Sequence, residues 1–264
     1  LDSATTCRAA IGDCSTVIHL AAAGSGPAAT LFVDTVATTR RLAAACVLTG
    51  ARLVLVSSFS VYRTDHLRRG DVLDEQCSIE TRPELRDTYA FSKLAQERVC
   101  NEAVEQHGLP LFIVRPAVIY GPGRGLLSSR VGLQIGGRLF RFGSRHRLPY
   151  VYVDNCADGV VAAARASEHT NDVVNLVDDE LPSPRQLTRA LGELREPTRV
   201  MPVPLLAVRA GVAAYARIAE WSEGMLPPAL TPYKASAQWK PLRYPNAKAK
   251  RERVVPHRSR RRHD

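Results

Sequence analysis

Segments of two kinds alternate along the first half of this chain, and that alternation limits the fold more than any other feature. Thr16 to Leu20, Arg52 to Val56 and Leu111 to Val114 are short, apolar and rich in β-branched residues. Between them lie two longer stretches, residues 29–49 and 88–107. Their apolar positions recur at helical spacing: Leu31, Val36, Leu42, Ala45 and Val47 in the first, Ala90, Leu94, Val99, Ala103 and Val104 in the second. Short strands separated by helices of this length pair in parallel, with the helices laid over both faces of the sheet. The expected class is α/β, a doubly wound parallel sheet.

Punctuation residues sharpen the boundaries. Asp87 or Thr88 can cap the second helix, and Gly108 with Pro110 stops it near His107. Residues 2–12 read as the end of a helix. Further along, 126–136 and 155–167 read as helices, 138–142, 148–153 and 173–177 as strands. Ser183 is placed to cap a helix over 183–194, and Pro202 with Pro204 precedes another over 205–221. The longest apolar run, Val203 to Ala219, is broken by Arg209 and Arg217, so no membrane span is expected.

The chemistry concentrates in Asp87 to Lys93, D-T-Y-A-F-S-K. Tyr89 and Lys93 are four apart and share one helix face. A cation beside a phenol favours the phenolate, which predicts a Tyr89 pKa below about 10 and a proton carrier usable near neutral pH. Ser57 and Ser58 follow the strand 52–56, at the carboxyl end where open α/β sheets hold ligands. Ser58 can donate to a substrate hydroxyl or carbonyl.

With these residues in view, the chain resembles the extended short-chain dehydrogenase/reductase superfamily, in its NAD-dependent epimerase/dehydratase group. The resemblance rests on H-L-A-A at 19–22, S-S-F-S-V-Y at 57–62, Y-A-F-S-K at 89–93, R-P-A-V-I-Y-G-P-G at 115–123 and Y-V-Y-V-D-N-C-A at 150–157. It implies a Rossmann-like sheet, NAD or NADP as cofactor, and hydride transfer at a substrate hydroxyl or carbonyl carbon. Tyr89 would be the acid/base, Lys93 would hold the nicotinamide ribose and Ser58 would orient the substrate oxygen. Leu20, Ala21, Ala22, Ser57, Pro116 and Val118 would border the cofactor. His19 reads as a structural residue at a strand end. The implied substrate is a nucleotide sugar, gripped by Arg138, Arg141, Arg145 and Arg147, or a hydroxysteroid- or flavonol-like alcohol. The C-terminal part resembles the dihydroflavonol reductase and 3β-hydroxysteroid dehydrogenase branch. The equivalent helices of the family pair into a four-helix bundle, which makes a homodimer the expected assembly.

The resemblance also marks departures. The family's first strand–helix unit, with its glycine-rich phosphate loop, has no counterpart from Leu1 onward. The sheet is therefore expected to lack that unit, and NAD or NADP to bind weakly. Gly24 to Ala29 superficially matches G-x-G-x-x-A, but its proline suits no phosphate cradle. Arg63 stands where the family has glycine, so an altered loop is expected after Tyr62. A competing reading is a non-catalytic fragment or a cofactor-sensing binding module.

The expected division is a truncated dinucleotide domain over 1–125, rejoined by 151–177. A small C-terminal substrate lobe spans 126–150 and 178–245, and a basic disordered tail spans 246–264. The formal charge of +10 suggests a polyanion binder at first sight. From Trp239 to Asp264, however, ten Lys/Arg face two Asp/Glu, leaving +2 for the remainder. The basicity belongs to the end of the chain, and no specific nucleic acid is expected. Six scattered cysteines form no C-x-x-C pair, which fits reduced thiols, a cytoplasmic setting and no metal site.

Overall fold

The computed structural model of the chain describes residues 3–24, 26–166, 171–193, 199–222, 225–226 and 230–254. In chain order it runs through α1 (Ala4–Ile11), β1 (Thr16–His19), α2 (Ala28–Phe32), a π-helical turn (Val33–Ala37) and α3 (Thr38–Thr49). β2 (Arg52–Val56), α4 (Thr88–His107), β3 (Leu111–Pro116) and β4 (Val118–Tyr120) follow, then β5 (Gly132–Ile135), β6 (Arg138–Phe142) and β7 (Tyr150–Tyr152). The remaining elements are α5 (Val153–Arg165), β8 (Asp172–Leu176), α6 (Pro184–Glu193), β9 (Arg199–Val203), α7 (Leu205–Trp221), α8 (Pro232–Trp239) and α9 (Ala247–Arg251).

Four strands form one parallel sheet in the order β1-β2-β3-β8, with Val17 opposite Leu53, Leu53 opposite Leu111 and Val114 opposite Val174. Side chains alternate across a strand. Leu53 and Leu55 point to one layer, where α1, α3 and α4 supply Ile11, Leu42, Ala45 and Cys100. Val54, Phe112 and Val114 point to the other, against Val160 and Ala163 of α5. Both faces are covered, which is why the strands read as unbroken apolar runs. Each fully buried leucine contributes roughly 1.5–3 kcal/mol by leaving water.

Local chemistry fixes the helix ends. The Asp87 carboxylate accepts from Ala90 N at 2.9 Å to start α4, and Gly108, at φ 67°, ends it. Ser183 and Gln186 form a reciprocal box at the start of α6. Gln186 N donates to Ser183 Oγ at 3.3 Å and Ser183 N donates to Gln186 Oε1 at 2.9 Å.

The structure corrects the sequence reading in three places. Residues 126–136 are not a helix: β5 pairs antiparallel with β6 through Gly136 and Gly137, at φ 56° and 71°. Two consecutive left-handed residues make a tight hairpin turn that favours glycine. β9 then joins this hairpin alongside β6. The supposed tail begins later than 246, because α9 packs on the core with Ala249 and Val254 fully buried, and Lys248 reaches Asp172 at 2.5 Å. Residues 255–264 lie outside the described ones. Arg63 is not strained, since among the described residues only Asn171 and Arg253 are non-glycines with positive φ. Its guanidinium instead pairs with Asp65 at 2.7 Å.

The lobe core joins Phe142 of β6, Val208 and Val212 of α7, and Ala235 and Trp239 of α8. It is tied back to the sheet domain by polar contacts. Lys240 Nζ donates to the carbonyls of Thr64 at 2.6 Å and Leu67 at 2.7 Å, and Trp239 Nε1 donates to Ser129 O at 2.7 Å.

Candidate active site

A cleft of about 710 Å³ opens at the carboxyl ends of the parallel strands. Leu20, Ala22 and Gly24 line it after β1, and Ser57 to Ser60 after β2. Tyr89 and Lys93 enter from α4, Pro116 to Ile119 from the end of β3, and Arg86, Arg124 and Arg130 from the surrounding loops. Of the catalytic and cofactor-bordering residues expected, Ala21 alone lies off the cleft and is exposed. Ser58, Tyr89, Lys93, Leu20, Ala22, Ser57, Pro116 and Val118 all line it.

Ser58 Oγ accepts from Ser60 N at 3.2 Å and is a hydrogen-bonding neighbour of the Tyr89 phenol. A hydroxyl has one proton to give, so an oxygen occupied by an N–H directs that proton toward the phenol. The Tyr89 pKa nevertheless moves opposite to expectation. Burial raises it above the ordinary tyrosine value, Ser58 opposes the rise, Asp87 adds to it and Arg124 opposes it. The phenol is held neutral because desolvation outweighs the nearby positive charge.

Lys93 explains why. Its ammonium turns into the protein, donating to Val56 O at 3.0 Å and Gln96 Oε1 at 2.9 Å. Burial, the largest influence, lowers its pKa to about 8, against the attraction of Glu97. An ammonium donates only, so Gln96 must present its oxygen to Lys93 and its amide nitrogen away. That nitrogen lies 2.9 Å from Thr39 Oγ1 and 3.3 Å from His19 Nε2, and His19 Nε2 lies 2.7 Å from Thr39 Oγ1. His19 is thus the far end of a buried chain that begins at Lys93. Burial first, and then the Lys93 charge, lowers its pKa to about 4.

Arg138, Arg141, Arg145 and Arg147 do not line the cleft. Arg141 donates to Thr188 Oγ1 at 3.3 Å and Arg147 to Leu181 O at 2.9 Å, both elsewhere on the lobe. The arginines in the cleft are others. Arg86 donates to Tyr62 O at 3.0 Å beside Glu80, and Arg130 donates to Gln238 O at 3.2 Å. Arg124 sits in a closed turn where Gly121, Gly123 and Gly125 all have positive φ. A Cβ on Gly121 would meet Tyr152 and Val153 at 2.9 Å, so this glycine is required by packing as well. The G-P-G-R-G spelling was the available signal for Arg124. Arg86 and Arg130 carry no sequence mark of their own.

The match to known proteins follows the same outline. Residues 1–176 fit the model of the NAD dependent epimerase/dehydratase family. The chain belongs to that family. UDP-glucose 4-epimerase of Vibrio cholerae is 26% identical over 161 residues, covering 59% of this chain and 49% of that protein. The family member described here therefore spans about half the length of that curated relative. Among solved structures, UDP-glucuronic acid 4-epimerase from Bacillus cereus in complex with NAD superposes with a TM-score of 0.65 at 19% identity, over 96% of this chain and 72% of that one. MoeE5 in complex with UDP-glucose and NAD gives 0.65 at 20% identity, over 98% and 80%. At such identities the likeness is one of fold, a Rossmann-like α/β sheet with an attached lobe.

Several features of the cleft suit a nicotinamide ribose. Ser57 Oγ and Ser60 Oγ are buried without a hydrogen-bond partner among the described residues. The Lys93 ammonium has spent two of its three donors on protein. The small side chains of Ala22 and Ala117 and the absence of one at Gly24 permit close approach.

Proposed function

We propose that this chain carries the catalytic cleft of a nucleotide-sugar epimerase or dehydratase, with Tyr89 as acid/base, Ser58 as the group orienting the substrate oxygen and Lys93 as the ribose ligand. The observation that carries the reading is the convergence of Ser58, Tyr89 and Lys93 with Arg86, Arg124 and Arg130 on one cleft. Three cations there favour a diphosphate-bearing substrate over a hydroxysteroid- or flavonol-like alcohol.

When bound, NAD or NADP supplies the hydride acceptor and donor. Ser58, already accepting from Ser60 N, would turn its one proton from the Tyr89 phenol to the reacting oxygen once substrate is bound. Tyr89 as a neutral phenol suits protonation of a substrate carbonyl oxygen. The reverse direction needs the phenolate, which Arg124 favours. Lys93 would offer its remaining donor to the ribose, as would Leu20, Ala22, Pro116 and Val118 their apolar surface.

Calorimetric titration with UDP, UDP-glucose and NAD, followed by turnover assays with the same compounds, tests the reading. Arg124→Ala with Arg130→Ala should weaken UDP binding by about tenfold or more, and Tyr89→Phe should abolish turnover while leaving UDP affinity in place. Turnover within a few-fold of the parent in Tyr89→Phe would remove the mechanism. UDP binding without any turnover would favour a non-catalytic, cofactor-sensing module.

Self-association into a homodimer through the helices of residues 28–49 and 88–107 is part of the proposal. Val33 and Leu48 support it, being 54% and 66% exposed on the first of these helices. Light scattering of Ala95→Arg against the parent tests it, a parent monomer counting against.

A further inference from the structure

Helix α7 is apolar on nearly every side yet packed on only one. Its charged side chains are Arg209, Arg217 and Glu220, and its buried ones are Val208 and Val212. At 3.6 residues per turn the face opposite those valines carries Leu206, Ala210, Ala213, Ala214, Arg217 and Trp221, with Ile218 and Glu220 at its two edges. All are exposed, Leu206 by 77%, Ile218 by 52% and Trp221 by 87%. A helix apolar all round is normally enclosed.

The apolar surface continues onto the sheet beneath. Ile135, Arg138 and Arg199 stand in one cross-strand row, and Phe140 stands beside Met201. Alternate residues share a face, so these lie on the side where Phe140 and Phe142 meet α7. Ile135 is 61% and Met201 45% exposed there. On this side of β6 and β9 and along α7 the sequence places four arginines, Arg138, Arg199, Arg209 and Arg217, against one acid, Glu220.

We propose that this face seats the protein on an anionic lipid bilayer, with α7 lying in the plane of the interface. The helix is about 25 Å long, shorter than a hydrocarbon core of about 30 Å, and no described helix is long and apolar enough to cross a membrane. An interfacial helix has another signature: an apolar face with tryptophan, and arginines placed to reach headgroups. Arg217 lies inside the apolar stripe. Against another protein it would be buried and would need a carboxylate, whereas at a lipid surface it extends to a phosphate. A second copy would bring the same surplus of arginine over acid to the contact, which disfavours self-association here.

Sedimentation with vesicles of phosphatidylcholine, alone or with about 30% phosphatidylglycerol, tests the proposal on the full chain. Trp221 and Trp239 are its two tryptophans, and Trp239 is only 7% exposed. Binding should therefore shift indole emission to shorter wavelength through Trp221. Anionic vesicles should retain the protein at least about tenfold better than neutral ones. Ile218→Glu with Trp221→Glu should remove most of that binding while circular dichroism stays unchanged. No retention on anionic vesicles would overturn the proposal. So would a double variant that binds like the parent, since the basic C-terminal residues would then be the whole attraction. A dimer in light scattering that the same variant dissolves would assign the face to a second copy instead.

Discussion

Glu97 of α4 and Arg115 of β3 form a two-pronged buried ion pair, Nε to Oε1 at 2.9 Å and Nη2 to Oε2 at 2.7 Å. Arg115 also donates to Tyr62 OH at 3.1 Å, and that hydroxyl donates to Asn175 Oδ1 at 2.8 Å. One chain of contacts thus ties the helix carrying Tyr89 and Lys93 to β3, to β8 and to the loop after β2. Arg115→Met leaves the Glu97 carboxylate buried and alone, and should cost about 3–5 kcal/mol in urea unfolding. Adding Glu97→Leu should recover much of that loss, since an apolar pair removes the stranded charge. Equal stability of Arg115→Met and the parent would show that the pair sets register rather than strength.

Gln96 holds Lys93 through an oxygen that no other group replaces. Gln96→Leu should drop the Lys93 titration further below its value of about 8, because the ammonium loses an acceptor while staying buried. Gln96→Glu should raise it. Nitrogen NMR of the Lys93 side chain, assigned with Lys93→Met, reads both. An unchanged titration in both variants would detach Gln96 from the site.

His19 should make the fold acid-labile in a defined window. Its folded pKa is lowered to about 4, while the unfolded value is 6.5. Between those limits the unfolded chain binds the extra proton, so stability is full above about pH 6.5 and falls as pH drops toward 4. The shift corresponds to roughly 3 kcal/mol. Urea midpoints at pH 7 and pH 4.5 should differ accordingly, and His19→Gln should flatten the difference. A parent with equal midpoints at both pH values would refute the assignment.

Gly132 in β5 should tolerate no side chain. A Cβ there would lie 1.9 Å from Phe140 O, whereas at Gly137, φ 71°, a Cβ meets nothing within 4 Å. Gly137→Ala should cost about 1–2 kcal/mol from backbone conformation alone. Gly132→Ala should cost more, by opening the β5–β6 hairpin. Thermal unfolding of the two variants side by side decides whether backbone approach or φ dominates.

Arg52 to Val56, Leu111 to Val114 and the D-T-Y-A-F-S-K stretch were legible because their signals are local. A short unbroken apolar run, a helical period, an aspartate cap and a glycine stop are all set within a few residues. The parallel sheet and the placing of Ser58 and Tyr89 on one cleft followed from that order. Other features depend on groups distant in sequence. β9 exists because β6 pairs with it, and residues 126–136 read as a helix until β5 pairs with β6 across the Gly136–Gly137 turn. Whether Arg138 or Arg130 faces the cleft depends on how the lobe folds back over β3. The Tyr89 pKa is the clearest instance. The i, i+4 spacing correctly put Lys93 on the same helix face, but Val56 O and Gln96 Oε1 draw the ammonium inward. Burial then raises the phenol that the sequence alone would have lowered. Spacing along a helix determines which side chains are neighbours; the dielectric and the competing acceptors around them are decided only when the sheet, the helix and the lobe close together.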